Sequence, residues 1–402
     1  MTTTSFLLDQ IEEGHLQGLL DNRVPEGRDL EFKRDPVGRD DAAKKEFLKD
    51  VSALANTAGG DLIIGVGEDD GVAASLHGIT LAPADDEIRR LEAILQDGIE
   101  PRLIGTRMRA VQLAGGGYLL VIRVLASWNS PHRVVYQRTN RFFARNTGAA
   151  YELGVEQLRA AFLGSAETER RLNDFRFERL ARLKGGVGTS LIGVGKMVLH
   201  IAPLQPPRAP LDVRTISNDQ SGFRPLGRLG TTGTPNFDGF LLMGGEPHAK
   251  EPWTSSTQIF RNGRLEAGLG GILYQSQPDG PHIFSHSDDL PQLIQAIPRY
   301  CESLFRLGVA PPFVAMISLL GVGGSVMNDP TRLRSGAGPL DRDDLLFEHL
   351  LIEDAAFPHG WQTLLRPMLD ALWNAYGRQR CFPLFNEEGV WTGYPQGWPP
   401  IT

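Results

Sequence analysis

Cysteine is scarce, with only Cys301 and Cys381 in 402 residues. Two cysteines make neither a disulfide framework nor a zinc site. Long apolar runs are missing too, and none approaches the roughly 20 residues that span a bilayer. The N-terminus, M-T-T-T-S-F-L-L-D-Q, has no basic stretch and no sustained apolar one, so no secretory signal is expected. Internal repeats and low-complexity tracts are absent. These absences point to a cytoplasmic protein with no membrane partner. The length allows two or three domains of ordinary size.

Acidic residues are missing from one segment altogether. Residues 101–150 hold eight arginines (Arg102, Arg107, Arg109, Arg123, Arg133, Arg138, Arg141 and Arg145) and no Asp or Glu. Residues 1–100 hold 22 Asp and Glu against 10 Lys and Arg. The net charge of -7 therefore hides a strong asymmetry. Arginine's planar fork suits phosphate, so the basic segment could track a nucleic-acid backbone. The same arginines could pair with the acidic first hundred residues, and charge alone leaves both readings open.

Periodicity divides the chain. Ser5 can cap a helix carrying Leu8, Ile11, Leu16, Leu19 and Leu20. Arg28 to Arg34 reads as a strand, and Asp40 or Asp41 opens a helix with Phe47, Leu48, Val51, Leu54 and Ala55 on one face. Leu62 to Val66 is a continuous apolar strand, the pattern of burial on both faces. A third helix covers Ala84 to Ile99, three strands lie between Arg107 and Arg145, and Glu156 to Leu163 closes the domain. A separate charged helix is expected over Glu167 to Lys184, with Leu172, Phe175, Leu180 and Leu183 on its apolar side. Further on come strands at Met197 to Ile201, Asp238 to Met243, Thr257 to Phe260 and Phe313 to Leu320, with a hairpin turn at Asn262-Gly263. Helices are expected over Ser285 to Leu307, kinked or broken at Pro298, and over Gln362 to Tyr376. The fold class is α+β: a mixed-sheet N-terminal domain over 1–165, a helical connector over 166–188, and a second α/β or α+β domain over 189–402.

The stretch from Pro25 to Gly71 holds the candidate chemistry. It supplies Glu26, Glu31 and Asp69, with Lys33 two residues after Glu31. In a strand Glu31 and Lys33 share a face, because side chains alternate with period two. Asp69 follows a second strand that could bring it alongside. Carboxylates that meet at one point call for a neutralising cation, so a hydrolytic metal site is the expectation.

Other motifs carry less. Gly193-Val194-Gly195-Lys196-Met197 lacks both the first glycine and the final hydroxyl residue of a P-loop. Gly321-Val322-Gly323-Gly324 lacks the third glycine of a dinucleotide fingerprint. His282 and His286, followed by Asp288 and Asp289, read as solvated loop histidines.

The blocks L-E-F-K, S-A-L-A-N-T-A-G-G, L-I-I-G-V-G-E-D-D-G, I-E-P-R-L and R-F-F-A-R-N-T-G-A-A-Y, in that order, resemble the Schlafen AlbA-type domain. The resemblance covers roughly 140 residues from Glu26 to Leu163 and implies a nucleic-acid-binding fold. The Schlafen nucleases cut transfer and ribosomal RNA with three carboxylates, which this resemblance lays onto Glu26, Glu31 and Asp69, with Lys33 as the basic partner and Asp70 as a neighbour able to exchange with Asp69. It implies Mg2+ or Mn2+ at those carboxylates and RNA, transfer RNA among it, along the arginine strands at Arg133, Arg138, Arg141 and Arg145. Phe142 or Phe143 could stack on a base, though strand aromatics belong more often to a core. The eukaryotic relatives carry two lobes where this sequence carries one, so a homodimer or larger assembly is expected. The function implied is a metal-dependent endoribonuclease acting in anti-phage defence or stress. The alternatives are a non-catalytic DNA- or RNA-binding regulator, or an assembly subunit acting through a C-terminal region that answers a protein or ligand trigger.

Overall fold

The computed structural model describes residues 3, 6–80, 83–103, 105–127, 129–187, 189–207, 209–227, 231–245, 253–328 and 339–393. Two compact units divide the chain, Met1–Arg171 and Leu172–Thr402.

In the first unit, α1 (Glu13–Asp21) precedes β1 (Leu30–Lys33), α2 (Asp41–Ala55), β2 (Gly59–Ile64), β3 (Val66–Asp69) and β4 (Val72–Leu76). Next come α3 (Ala84–Gly98), β5 (Ile99–Glu100), β6 (Arg107–Gln112), β7 (Tyr118–Leu125), β8 (Arg133–Val134), β9 (Arg141–Arg145) and β10 (Ala150–Glu152). The central sheet runs β1-β2-β7-β6, a second runs β10-β9-β8-β5, and β3 pairs with β4 alone. β1 is parallel to β2 and the other central pairs are antiparallel, so the sheet is mixed.

The central sheet is buried on both faces, as the apolar run at 62–66 implies. Leu62, Ile64, Leu120, Ile122 and Val124 pack with Phe47, Leu48, Val51 and Leu54 of α2 and Leu91 and Leu95 of α3. The alternate residues Ile63, Leu119 and Val121 join Leu30, Phe32, Leu16 and Leu19 on the opposite face. Leu30 and Phe32 therefore face the α1 side, which turns Glu31 and Lys33 toward α2. Asp40 caps α2, its side chain accepting from the Ala43 amide at 2.9 Å. α1 opens instead on a reciprocal box between Glu12 and His15, while Ser5 lies outside the described residues.

The two helices expected around Gly164 are one helix, α4 (Val155–Lys184), whose course passes from the first unit into the second. A mid-helix glycine costs only about 1 kcal/mol relative to alanine, too little to stop a helix that tertiary packing favours.

The second unit contains β11 (Val194–Pro203), α5 (Val213–Asn218), β12 (Thr231–Pro235), β13 (Gly239–Gly244), β14 (Ser255–Phe260), β15 (Leu265–Tyr274) and β16 (Ile283–Phe284). It closes with α6 (His286–Arg306), β17 (Phe313–Leu320), β18 (Val326–Met327), β19 (Asp344–Leu346), β20 (Leu350–Ile352) and α7 (Arg366–Ala375). Its sheet runs β12-β13-β14-β15-β11-β17-β19, with β16, β18 and β20 attached at the side. Every pairing but β16 with β18 is antiparallel, which makes this unit α+β rather than α/β. α6 runs unbroken through Pro298. α7 starts later than expected, with Pro367 in its first turn after a 3-10 turn at Trp361–Leu365. The Gly-Val-Gly-Lys segment enters β11 through a register shift between Val194 and Lys196 and opens no helix, so it makes no phosphate loop. His286 is buried rather than solvated and packs edge-on against Trp373, ring centroids 4.8 Å apart.

Candidate active site

A tight turn sets the site at the start of β1. The Gly27 amide donates to Leu30 O at 3.0 Å, folding the preceding residues back over the strand. Glu26 then accepts from the Phe32 amide through Oε1 at 2.7 Å. On its other side this segment runs against the β3–β4 hairpin. The Glu26 amide donates to Gly71 O at 2.7 Å and the Ala73 amide to Val24 O at 3.2 Å. The hairpin's Glu68 is among the charges that act on Glu26. Glu68 and Asp69 are both exposed, and the Glu68 charge raises Glu26.

Glu26 is pushed up to about 7, chiefly by burial; the Phe32 amide pulls it down, while Glu31 and Glu68 push it up. Its proton is therefore exchangeable near neutral pH, the range general acids and bases use.

Glu31 is buried, with 8% of its side chain exposed, and both its oxygens are engaged. Lys33 Nζ lies 2.7 Å from Oε1, and Arg145 holds Oε2. Lys33 also reaches Asp50 Oδ2 at 3.3 Å, while 37% of its side chain stays open to solvent. Burial works against the Lys33 ammonium, but Asp50 and Glu31 together hold its pKa above the ordinary lysine range. Asp50, buried on α2, is raised to about 6 by desolvation despite Lys33. The site thus comprises Glu26, Glu31, Glu68, Asp50, Lys33 and Arg145. Asp50 and Glu68 are not among the candidate residues of the Pro25–Gly71 motif. Asp50 had a signal, an acid set between Phe47 and Leu54 on the apolar stripe of its helix.

These carboxylates are hard oxygen donors, the kind that Mg2+ and Mn2+ select. Their arrangement does not match that chemistry. Glu31 commits both oxygens to cations, and among the described residues no three His, Cys, Asp or Glu side chains are grouped to hold a metal ion.

Most of the arginine strip is ion-paired, although only Arg145 is buried. Arg145 is a structural residue, 2% exposed, donating through Nε to Gly27 O at 2.6 Å as well as holding Glu31. It anchors the turn that carries Glu26, and it cannot meet a phosphate from that position. Arg123 forks Asp61 at 2.8 and 2.9 Å. Arg107 meets Asp9 at 3.0 Å, Arg133 meets Glu100 at 2.6 Å, and Arg141 meets Glu152 at 3.4 Å. Arg133 and Arg141 remain part-exposed or exposed, and Arg138 is exposed with no ion pair among the described residues. Phe143 packs on the α2 core, and Phe142 meets Phe162 edge-on with centroids 6.2 Å apart.

A mixed-sheet α+β domain with an acidic site at the head of its first strand defines the class. Residues 26–153 match the family model "Schlafen, AlbA_2", and this segment is a Schlafen AlbA_2 domain. Among solved structures, the chain is similar to the DIP2311 protein from Corynebacterium diphtheriae at 19% identity and a TM-score of 0.25. That match covers 35% of this chain and 26% of the other, about a quarter of its length. It is also similar to the N-terminal domain of a Nitrosomonas europaea protein described as related to the ATP-dependent DNA helicase RecG. Identity there is 26%, the TM-score is 0.26, and the match covers 34% of this chain and 92% of the other. No curated protein matches the chain. The family match supports a function connected with nucleic acid. Among the described residues no helix is long and apolar enough to cross a membrane.

Proposed function

We propose that the first unit binds RNA and cuts its phosphodiester backbone as a Schlafen-type endoribonuclease, with structured RNA such as transfer RNA as substrate. The observation that carries this reading is Glu26, a carboxyl raised to about 7 by burial and by two acidic neighbours, in a site shared with a half-exposed lysine. In this reading Glu26 takes the proton of the attacking oxygen, which a carboxyl at its ordinary value does less well near neutrality. Lys33 donates to the phosphoryl oxygens as charge builds there. Glu31 and Asp50 keep that ammonium charged and aimed, and Arg145 fixes Glu31. No step is assigned to a metal ion, because among the described residues no three His, Cys, Asp or Glu side chains are grouped to hold one. The dependence on Mg2+ or Mn2+ that the resemblance implies is read by chelation in the same assay. One chain supplies one such lobe, so a clamp on RNA would take two copies, tested by the mass of the protein in solution with and without RNA.

Binding without cleavage is the second reading, favoured by the same closed ion pairs around Glu31. Incubation of the full chain with total RNA and Mn2+, against EDTA and against Glu26→Gln, separates the two. Cleavage lost in Glu26→Gln with RNA binding intact supports the nuclease. Binding with no cleavage by the wild-type chain supports the module, and no binding removes both.

A further inference from the structure

The second unit carries a pocket of about 380 Å³ that the site in the first unit does not use. This lies within the range, roughly 300–1,000 Å³, of pockets that take small organic ligands. Its walls come from regular elements. Arg179 and Arg182 project from one face of α4, three residues apart. Leu241 and Met243 alternate on β13, and Gln258 is the cross-strand partner of Leu241. Trp253 is held where its carbonyl accepts from the Ile192 amide at 3.1 Å. Asn236 fixes the turn before β13, its Oδ1 accepting from the Gly239 amide at 2.8 Å, and Asp238 lies on that turn.

The two arginines differ in a way that matters. Arg179 is committed: it forks buried Glu266 at 2.7 and 2.9 Å and lies 5.1 Å from the Phe260 ring centroid. Arg182 has no ion pair among the described residues, and its Nε is buried without a hydrogen-bond partner. An arginine that lines a pocket with no ion pair of its own is a ready partner for an anion. Thr189 and Ser190, on the segment leaving α4, add two hydroxyls to the lining. Trp253, Leu241 and Met243 give the pocket an aromatic and apolar part, while Asp238, Asn236 and Gln258 bring acceptors and donors for hydroxyls or amines.

We propose that this pocket binds a nucleoside monophosphate, with its phosphate on Arg182 and its base against Trp253. One uncommitted arginine matches one phosphate better than a di- or triphosphate. The volume holds a base, a sugar and one phosphate, and the acidic Asp238 suits a ribose hydroxyl. The assignment concerns the second unit alone and stands whether or not the first unit cuts RNA.

The test is calorimetric titration of the full chain with each of the four ribonucleoside monophosphates, with adenosine, and with inorganic phosphate. At least one monophosphate should bind saturably, more tightly than adenosine or phosphate. Arg182→Ala should weaken it roughly tenfold to a hundredfold, the loss of a charge-assisted hydrogen bond. Trp253→Phe should retain most of the affinity and Trp253→Ala should not, with unchanged thermal melting of the free proteins showing that the fold persists. Glu26→Gln should bind as the wild type does, separating this pocket from the first unit. The proposal is overturned if no monophosphate binds at millimolar concentration, if phosphate alone binds as tightly, or if Arg182→Ala binds undiminished.

Discussion

Removing a carboxylate that lies between an arginine and a lysine strands a buried charge. Arg145 has 1% of its side chain exposed and depends on Glu31 for its ion pair. Breaking a buried pair from one side costs about 3–5 kcal/mol. Glu31→Ala should therefore lower unfolding free energy by about that much in urea titration, and loss of activity in that variant would report folding as much as chemistry. Glu26→Gln is the cleaner probe, because a glutamine oxygen can still accept from the Phe32 amide. The raised carboxyls also fix a pH trend. Glu26, with an ordinary value of 4.5 and about 7 when folded, binds its proton more tightly in the folded protein, as does Asp50 at about 6 against 3.8. The unfolded chain thus holds fewer protons in this window, so stability falls as pH rises from about 4 through about 7. Thermal melting should show a lower midpoint above neutrality than at mildly acid pH, and Glu26→Gln should flatten that slope.

At the scale of elements, β1 and β2 locate the site, and a single glycine permits their approach. Gly60 has a φ of 137° and would place any Cβ against the backbone of Asp29, just before β1. Gly60→Ala should push β2 from β1, lower the melting midpoint, and reduce nucleic-acid binding and cleavage together. The alternation that buried Leu30 and Phe32 was legible in the sequence, and so was the shared face of Glu31 and Lys33. The third acid was not, because E-D-D presents three adjacent candidates on a hairpin whose register shifts between Gly67 and Glu68. Pairing across 114 positions, as between Glu31 and Arg145, leaves no local trace in composition. The strip of arginines therefore read as a surface, although much of it answers the acids of the first hundred residues. The single course of α4 was hidden for a related reason: Gly164 looks like a stop, and nothing local says that packing overrides it.

For the whole molecule, the distribution of charge decides how RNA would be held. With Arg107, Arg123, Arg133, Arg141 and Arg145 all ion-paired, few cations are left to release counterions from a phosphate backbone. The salt dependence of binding should be shallow for so arginine-rich a segment. Arg138→Ala should lower the slope of log affinity against log salt by about 1 without altering the melting midpoint. Arg145→Ala should destabilise the fold instead. The most direct measurement is single-turnover cleavage of end-labelled transfer RNA across pH, by the wild-type chain and by Glu26→Gln. The wild type should show an ionisation near pH 7 on the rate, and Glu26→Gln should lose that limb and about 10²–10⁴ in rate while still binding RNA. Equal cleavage by both proteins, or tight binding by the wild type with no cleavage at any pH, would contradict the account.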